Sequence, residues 1–208
     1  MATELSLLKA QINPHFFFNT LNNIYALTLL DGEQARAALH RLSRMMRYVL
    51  YESPAGHTRL SQEIGFLRDY IELMHLRLTT KVQVRFEMPD PLSPDPAGSD
   101  PAGSDPFIAP MLFQPFVENA FKHGVSATAP SSISIELRQP TANTVVLCVR
   151  NTLFPNRPAA AAADDEPGGI GLLNTQRRLD LLYPHAHTVR VTPRTAANEY
   201  EVCLHLNL

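Results

Sequence analysis

The chain has 208 residues, 45% of them apolar, and a net charge of −2 from 18 Lys+Arg against 20 Asp+Glu. That is enough apolar surface for a packed core, which excludes wholesale disorder, and the charge balance excludes a strongly basic nucleic-acid binder. No window approaches the ~18 consecutive apolar residues of a membrane helix and no leader pattern is visible, while Cys148 and Cys203 read as separate buried thiols of a reducing compartment.

Residues 3–30 and 33–52 are helical in pattern, broken at Asp31-Gly32, a short connection suited to an antiparallel helix pair. Ser53 to Gly56 ends the second helix. A third helix is expected from Ser61 to Leu78, with Ser61 as N-cap and Glu63 serving the dipole of its first turn. Residues 81–88 alternate and predict a strand. The unit PAGSD then occurs twice, at 96–100 and 101–105, inside a Pro-rich stretch that cannot pack; residues 91–106 read as a solvated loop insertion. An amphipathic helix over 110–124, strands at 133–138 and 144–150, and an irregular 151–168 follow. A helix from Gly171 or Leu172 to Tyr183 and strands at 188–191 and 200–206 complete the chain. The pattern predicts a helical module over 1–80 and an α+β module over 81–208.

Three clusters carry chemistry. At 100° per residue, with Phe17 at about 0°, Leu21, Ile24 and Thr28 fall within about 40° of it and form the expected buried face. His15, Asn19, Asn22 and Ala26 fall at about 140–200°, on the opposite side. Pro14 removes a helical hydrogen bond beside the imidazole and should loosen the helix there. On the 110–124 helix, Glu118, Lys122, Asn119 and His123 cover about 0–140°, against a core side of Phe113, Phe116, Val117, Ala120 and Phe121. An amide oxygen suits a hard cation and an ammonium suits phosphate. Gly124 ends that helix. Gly168, Gly169 and Gly171 open the next helix, where free backbone N–H groups attract anions; no Walker A pattern occurs. Arg41, Arg44 and Arg47 share one helical face, read as solvated or as facing an acidic partner. His185 and His187 read as exposed loop residues.

The string Gln11-Ile-Asn-Pro-His-Phe-Phe-Phe-Asn-Thr-Leu-Asn22 resembles the phosphoacceptor box of the LytS/YehU-type sensor histidine kinases, departing from it at Phe17, where Leu is usual. Pro115 to Gly124 resembles the N-box of that family, and Gly169 to Leu179 its G-box. The resemblance spans roughly residues 5–206 and implies a helical dimerisation and phosphoacceptor module followed by an α+β GHKL (Bergerat-type) ATP-binding sandwich. It implies His15 as the phosphoacceptor, with Asn19 beside it in the box, and Glu118 orienting a group near the γ-phosphate. Asn119 would bind Mg²⁺, with Lys122 and His123 close to the phosphates of ATP. Gly169, Gly171, Leu172, Asn174 and Arg178 would complete the nucleotide site. Asn151 stands where the wider ATPase class carries the Asp of D-x-G, and its side-chain oxygen would accept from the adenine amino group; residues 153–167 would form the lid.

The implied protein is a two-component kinase core. It autophosphorylates, passes the phosphoryl group to a response regulator, often of LytTR type, and acts as a homodimer without direct nucleic-acid contact. The expected place is the cytoplasm, or the cytoplasmic face of the inner membrane if the chain belongs to a longer receptor with an upstream membrane segment. Asn151 motivates the alternative of a non-catalytic dimerisation and nucleotide-binding module with a degenerate site. A third reading is an ATPase without histidine transfer.

Overall fold

A computed structural model describes residues 14–53, 56–88, 105–154 and 170–208. Both PAGSD units except Asp105, most of the expected lid, Gly168 and Gly169 lie outside these residues.

Helix α1 runs Pro14–Thr28 and α2 runs Gly32–Arg47. The loosening expected at Pro14 concerns the turn before it, outside the described residues. Asp31 is the N-cap of α2, accepting from the Gln34 N–H at 3.0 Å. Ala35, Ala38, Leu42 and Met45 recur every three or four residues on the buried face of α2. A π-helical turn, Tyr48–Glu52, ends the pair. Strand β1 is Thr58–Arg59, followed by α3, Leu60–His75. The central position of α3 is legible in its burial: Leu60, Ile64, Leu67, Tyr70, Ile71 and Leu73 point inward on several sides.

Strand β2 is Val82–Glu87 and β3 is Phe107–Ile108. Helix α4 is Gln114–His123, β4 is Ser131–Thr141 and β5 is Thr144–Thr152. Helix α5, Ile170–Leu182, precedes β6, His187–Thr192, and β7, Glu199–Asn207. The main sheet has the order β2-β4-β5-β7-β6, with only β2–β4 parallel. Ile133, Ile135 and Leu137 of β4, Val145, Leu147 and Val149 of β5, and Val202, Leu204 and Leu206 of β7 are buried on one face. Alternation leaves the other face polar, with Arg150 paired to Glu201 and Arg138 to Glu136. Helices α1 to α3 are thus followed by a five-stranded mixed sheet with two further helices, an α+β arrangement. Buried residues from α1 through β7 form one continuous apolar cluster. No described helix is long and apolar enough to cross a membrane.

Several local expectations are corrected. Cys148 and Cys203 are not separate thiols: the β5–β7 register sets them opposite each other and they form a disulfide. The N-cap of α3 is Arg59, not Ser61; Ser61 instead donates its N–H to Asp105 at 2.8 Å. Glu63 lies in the first turn of α3, as expected; it is also fully buried and binds the turn that precedes α4, as described below. Two of the three aligned arginines reach α3 rather than solvent alone: Arg44 makes a two-pronged bond to buried Asp69, and Arg41 lies 3.7 Å from Glu72. His187 is not an exposed loop residue; it opens β6 with its Nδ1 2.8 Å from the Tyr183 carbonyl.

The buried stripe of α1 is Phe16, Thr20 and Ile24. Of the expected face only Ile24 is buried, Phe17 is half-buried, and Leu21 and Thr28 are exposed. The run Phe16-Phe17-Phe18 gives the helix two apolar sides. The chain covers one and leaves Phe18, Leu21, Tyr25 and Leu29 open.

Candidate functional site

His15 is the second residue of α1, exposed, with the Asn19 side-chain nitrogen 3.0 Å from its Nε2 and 3.2 Å from its Nδ1. The i,i+4 spacing on a helix produces this contact. The amide can donate to whichever ring nitrogen is unprotonated.

The next residue fixes where the imidazole sits. The Phe16 ring packs on Tyr70 of α3 at 5.0 Å between centroids, and Tyr70 meets Phe121 of α4 edge-on at 6.5 Å. Three elements are thereby clamped around one open cleft of about 540 Å³. His15, Tyr70, Arg77, Glu118 and Lys122 line it. The acceptor box and the N-box, about a hundred residues apart in sequence, thus share one cavity. Burial pushes the Tyr70 phenol above its ordinary value, and the nearby Glu118 charge pushes it the same way. The ring stays neutral at physiological pH.

The polar arc of α4 divides. Glu118 and Lys122 face the cleft with His15. Asn119 and His123, both half-buried, lie farther around the helix, at about 100–140° from Glu118. At the end of the helix Gly124 is pressed against Asn151 of β5: a Cβ at Gly124 would stand 2.4 Å from the Asn151 Cβ. Asn151 is 2% exposed, and its amide donates to the Thr152 carbonyl at 3.0 Å.

Gly171 and Leu172 lie in the first turn of α5, with Leu172 half-buried against the core and Asn174 exposed. Gly169 falls outside the described residues. Arg178 donates to the carbonyls of Pro110, at 2.6 Å, and Met111, at 3.3 Å. It therefore ties α5 to the turn that starts α4.

That turn also holds a group the sequence analysis placed elsewhere. Glu63 accepts from the N–H groups of Met111, at 2.8 Å, Leu112, at 2.9 Å, and Phe113, at 3.3 Å, and from the Tyr48 hydroxyl. Met111 has a positive φ of 54°. The carboxylate of a neighbouring helix thus holds the turn that leads into α4. Burial raises the Glu63 carboxyl above its usual range, and its four donors partly offset this. Its place in the first turn of α3 was the only sequence signal, and no local pattern joins it to the turn before α4.

A family model described as Histidine kinase matches residues 3–82. The chain is 30% identical over 197 residues to "Sensor histidine kinase YpdA" of Escherichia coli (strain K12), covering 92% of this chain and 33% of that protein. It is 30% identical over 181 residues to "Sensor protein LytS" of Oceanobacillus iheyensis, covering 83% of this chain and 29% of that protein. A crystal structure of full-length ShkA in complex with AMPPNP is similar over 99% of this chain and 45% of that one, with 16% identity and a TM-score of 0.48. The chain spans about a third of the length of the curated relatives named here. On its sequence and its boxes, the chain belongs to the family of LytS-type sensor histidine kinases.

Proposed function

We propose that this chain is a kinase core that transfers the γ-phosphoryl group of Mg·ATP to His15 and then hands it to an aspartate of a response regulator, of LytTR type by family resemblance. The single observation that carries the reading is the cleft that joins His15 to Glu118 and Lys122. Phosphoryl transfer needs in-line positioning and neutralised charge more than covalent help from the protein. Asn119 offers a carbonyl oxygen to Mg²⁺, Lys122 and His123 offer cationic or donor groups to phosphate, and the first turn of α5 with Gly171 offers backbone amides. Leu172 and Asn174 flank those amides. Asn151 stands at the adenine end. Arg178 acts there indirectly, by holding α5 on the start of α4.

The unprotonated nitrogen of His15 forms the N–P bond as the bond from phosphorus to the bridging oxygen breaks. ADP leaves with that electron pair, and Glu118 takes the proton of the second ring nitrogen. The exposed apolar side of α1, with Leu39, Met46 and Leu50 of the α2 and π-helical segment, suits a homodimer of helix pairs. Its place is the cytoplasm, or the cytoplasmic side of the inner membrane when joined to a membrane segment.

Incubation with γ-labelled ATP and Mg²⁺ tests the reading. Acid-labile, base-stable label is expected on the wild type and absent from His15→Ala and Asn119→Ala. Full labelling of a folded His15→Ala would overturn it.

A further inference from the structure

We propose that the transfer is intrachain: the nucleotide held on α4 of one chain phosphorylates His15 of that same chain, even within a dimer. This rests on the reading of His15 as acceptor and goes beyond it in assigning donor and acceptor to one protomer.

Three observations carry it. First, the cleft is built by one chain alone, with His15 on one wall and Glu118 and Lys122 on another. Second, the walls are tied. Phe16, the residue after the histidine, is 7% exposed and stacks on Tyr70, which in turn meets Phe121 of α4. Swinging α1 away to reach another chain would strip the Phe16 and Ile24 side chains of their burial. Arg44 and Asp69 add a two-pronged tie between α2 and α3.

Third, the surface left for a second copy is elsewhere on α1. Counting 100° per residue from Phe16, the exposed apolar side chains Phe18, Leu21, Tyr25 and Leu29 centre at about 185°. His15, Asn19 and Asn22 centre at about 265°, and the buried stripe at about 40°. A partner seated on the apolar side covers one flank of the histidine. The other flank still opens on the cleft formed with α4 of its own chain. The chemistry balances as given above, and only the ownership of the two reacting groups is new.

The test uses a mixed dimer of the full 208-residue chain. One protomer is wild type; the other is Asn119→Ala, with His15 intact, and carries a different tag and length. The pair is isolated through both tags and given γ-labelled ATP and Mg²⁺. All label is expected on the wild-type protomer. Label on the Asn119→Ala protomer would overturn the proposal, because only the nucleotide of its neighbour can have supplied it. No label on either protomer, with a wild-type homodimer that labels normally, would overturn it as well. Lys122→Ala, at an exposed position, replaces Asn119→Ala as the crippled partner if the latter does not fold. A wild-type homodimer that takes no label contradicts the acceptor reading itself, so the two failures are told apart.

Discussion

Gly124 and Asn151 share a space that admits no added methyl group. A Cβ at Gly124 would stand 2.4 Å from the Asn151 Cβ, 3.0 Å from its Cγ and 2.7 Å from the Ala120 carbonyl oxygen. The φ of Gly124 is −94°, so the need for glycine is close approach and not backbone strain. The contact fixes the end of α4 against β5, the strand that carries Asn151. Gly124→Ala is expected to lose roughly 1–3 kcal/mol, as overpacking does. Thermal melting checks it, and the variant should also bind ADP more weakly in calorimetric titration.

Asn151→Asp restores the residue type that the wider ATPase class carries. The structure argues against a gain. The side chain is 2% exposed and donates to the Thr152 carbonyl, which a carboxylate cannot do. Two facing acceptors and a buried charge cost about 1–3 kcal/mol. Burial raises the carboxyl of the variant above its unfolded value, so the penalty is absent below the unfolded pKa and grows as pH rises through the folded one. Melting of both proteins from pH 4 to 8 should show the gap widening with pH.

The exposed side of α1 gives a separable prediction. Tyr25 and Leu29 are 73% and 80% exposed, so their replacement costs the folded chain little. The double variant Tyr25→Glu, Leu29→Glu is expected to sediment as a monomer where the wild type sediments as a dimer. Far-UV circular dichroism should show its helices retained.

Tyr48→Phe removes one of the four donors to Glu63 and leaves the three backbone donors in place. A hydrogen bond to a charged group is worth about 1.5–3 kcal/mol, and the loss should lie in that range by denaturant unfolding. Glu63→Gln should cost more, since its amide nitrogen would face backbone N–H groups at Met111, Leu112 and Phe113.

The motifs of this chain were more legible in its sequence than its tertiary ties were. The three boxes stand in contiguous strings, and the apolar periods of α2 and α4 mark their buried sides directly. Three consecutive phenylalanines made the orientation of α1 ambiguous, and only packing against Tyr70 decides that Phe16 faces inward. Glu63 and its partners are separated by 48–50 residues, so no local pattern announces that bond. The same holds for Cys148 and Cys203, whose pairing follows from strand register. Strands β1 and β3, of two residues each, are too short for alternation to show. His15 was expected on an exposed polar stripe; that the stripe borders α4 is a property of the tertiary fold.

The most direct test of the account is to locate the phosphoryl group. Wild-type chain incubated with Mg·ATP, digested at neutral pH and sequenced by tandem mass spectrometry should carry phosphate on His15, in the peptide that includes Pro14 and Asn19. Phosphate on another residue, or ATP consumed with His15 unmodified, would contradict it.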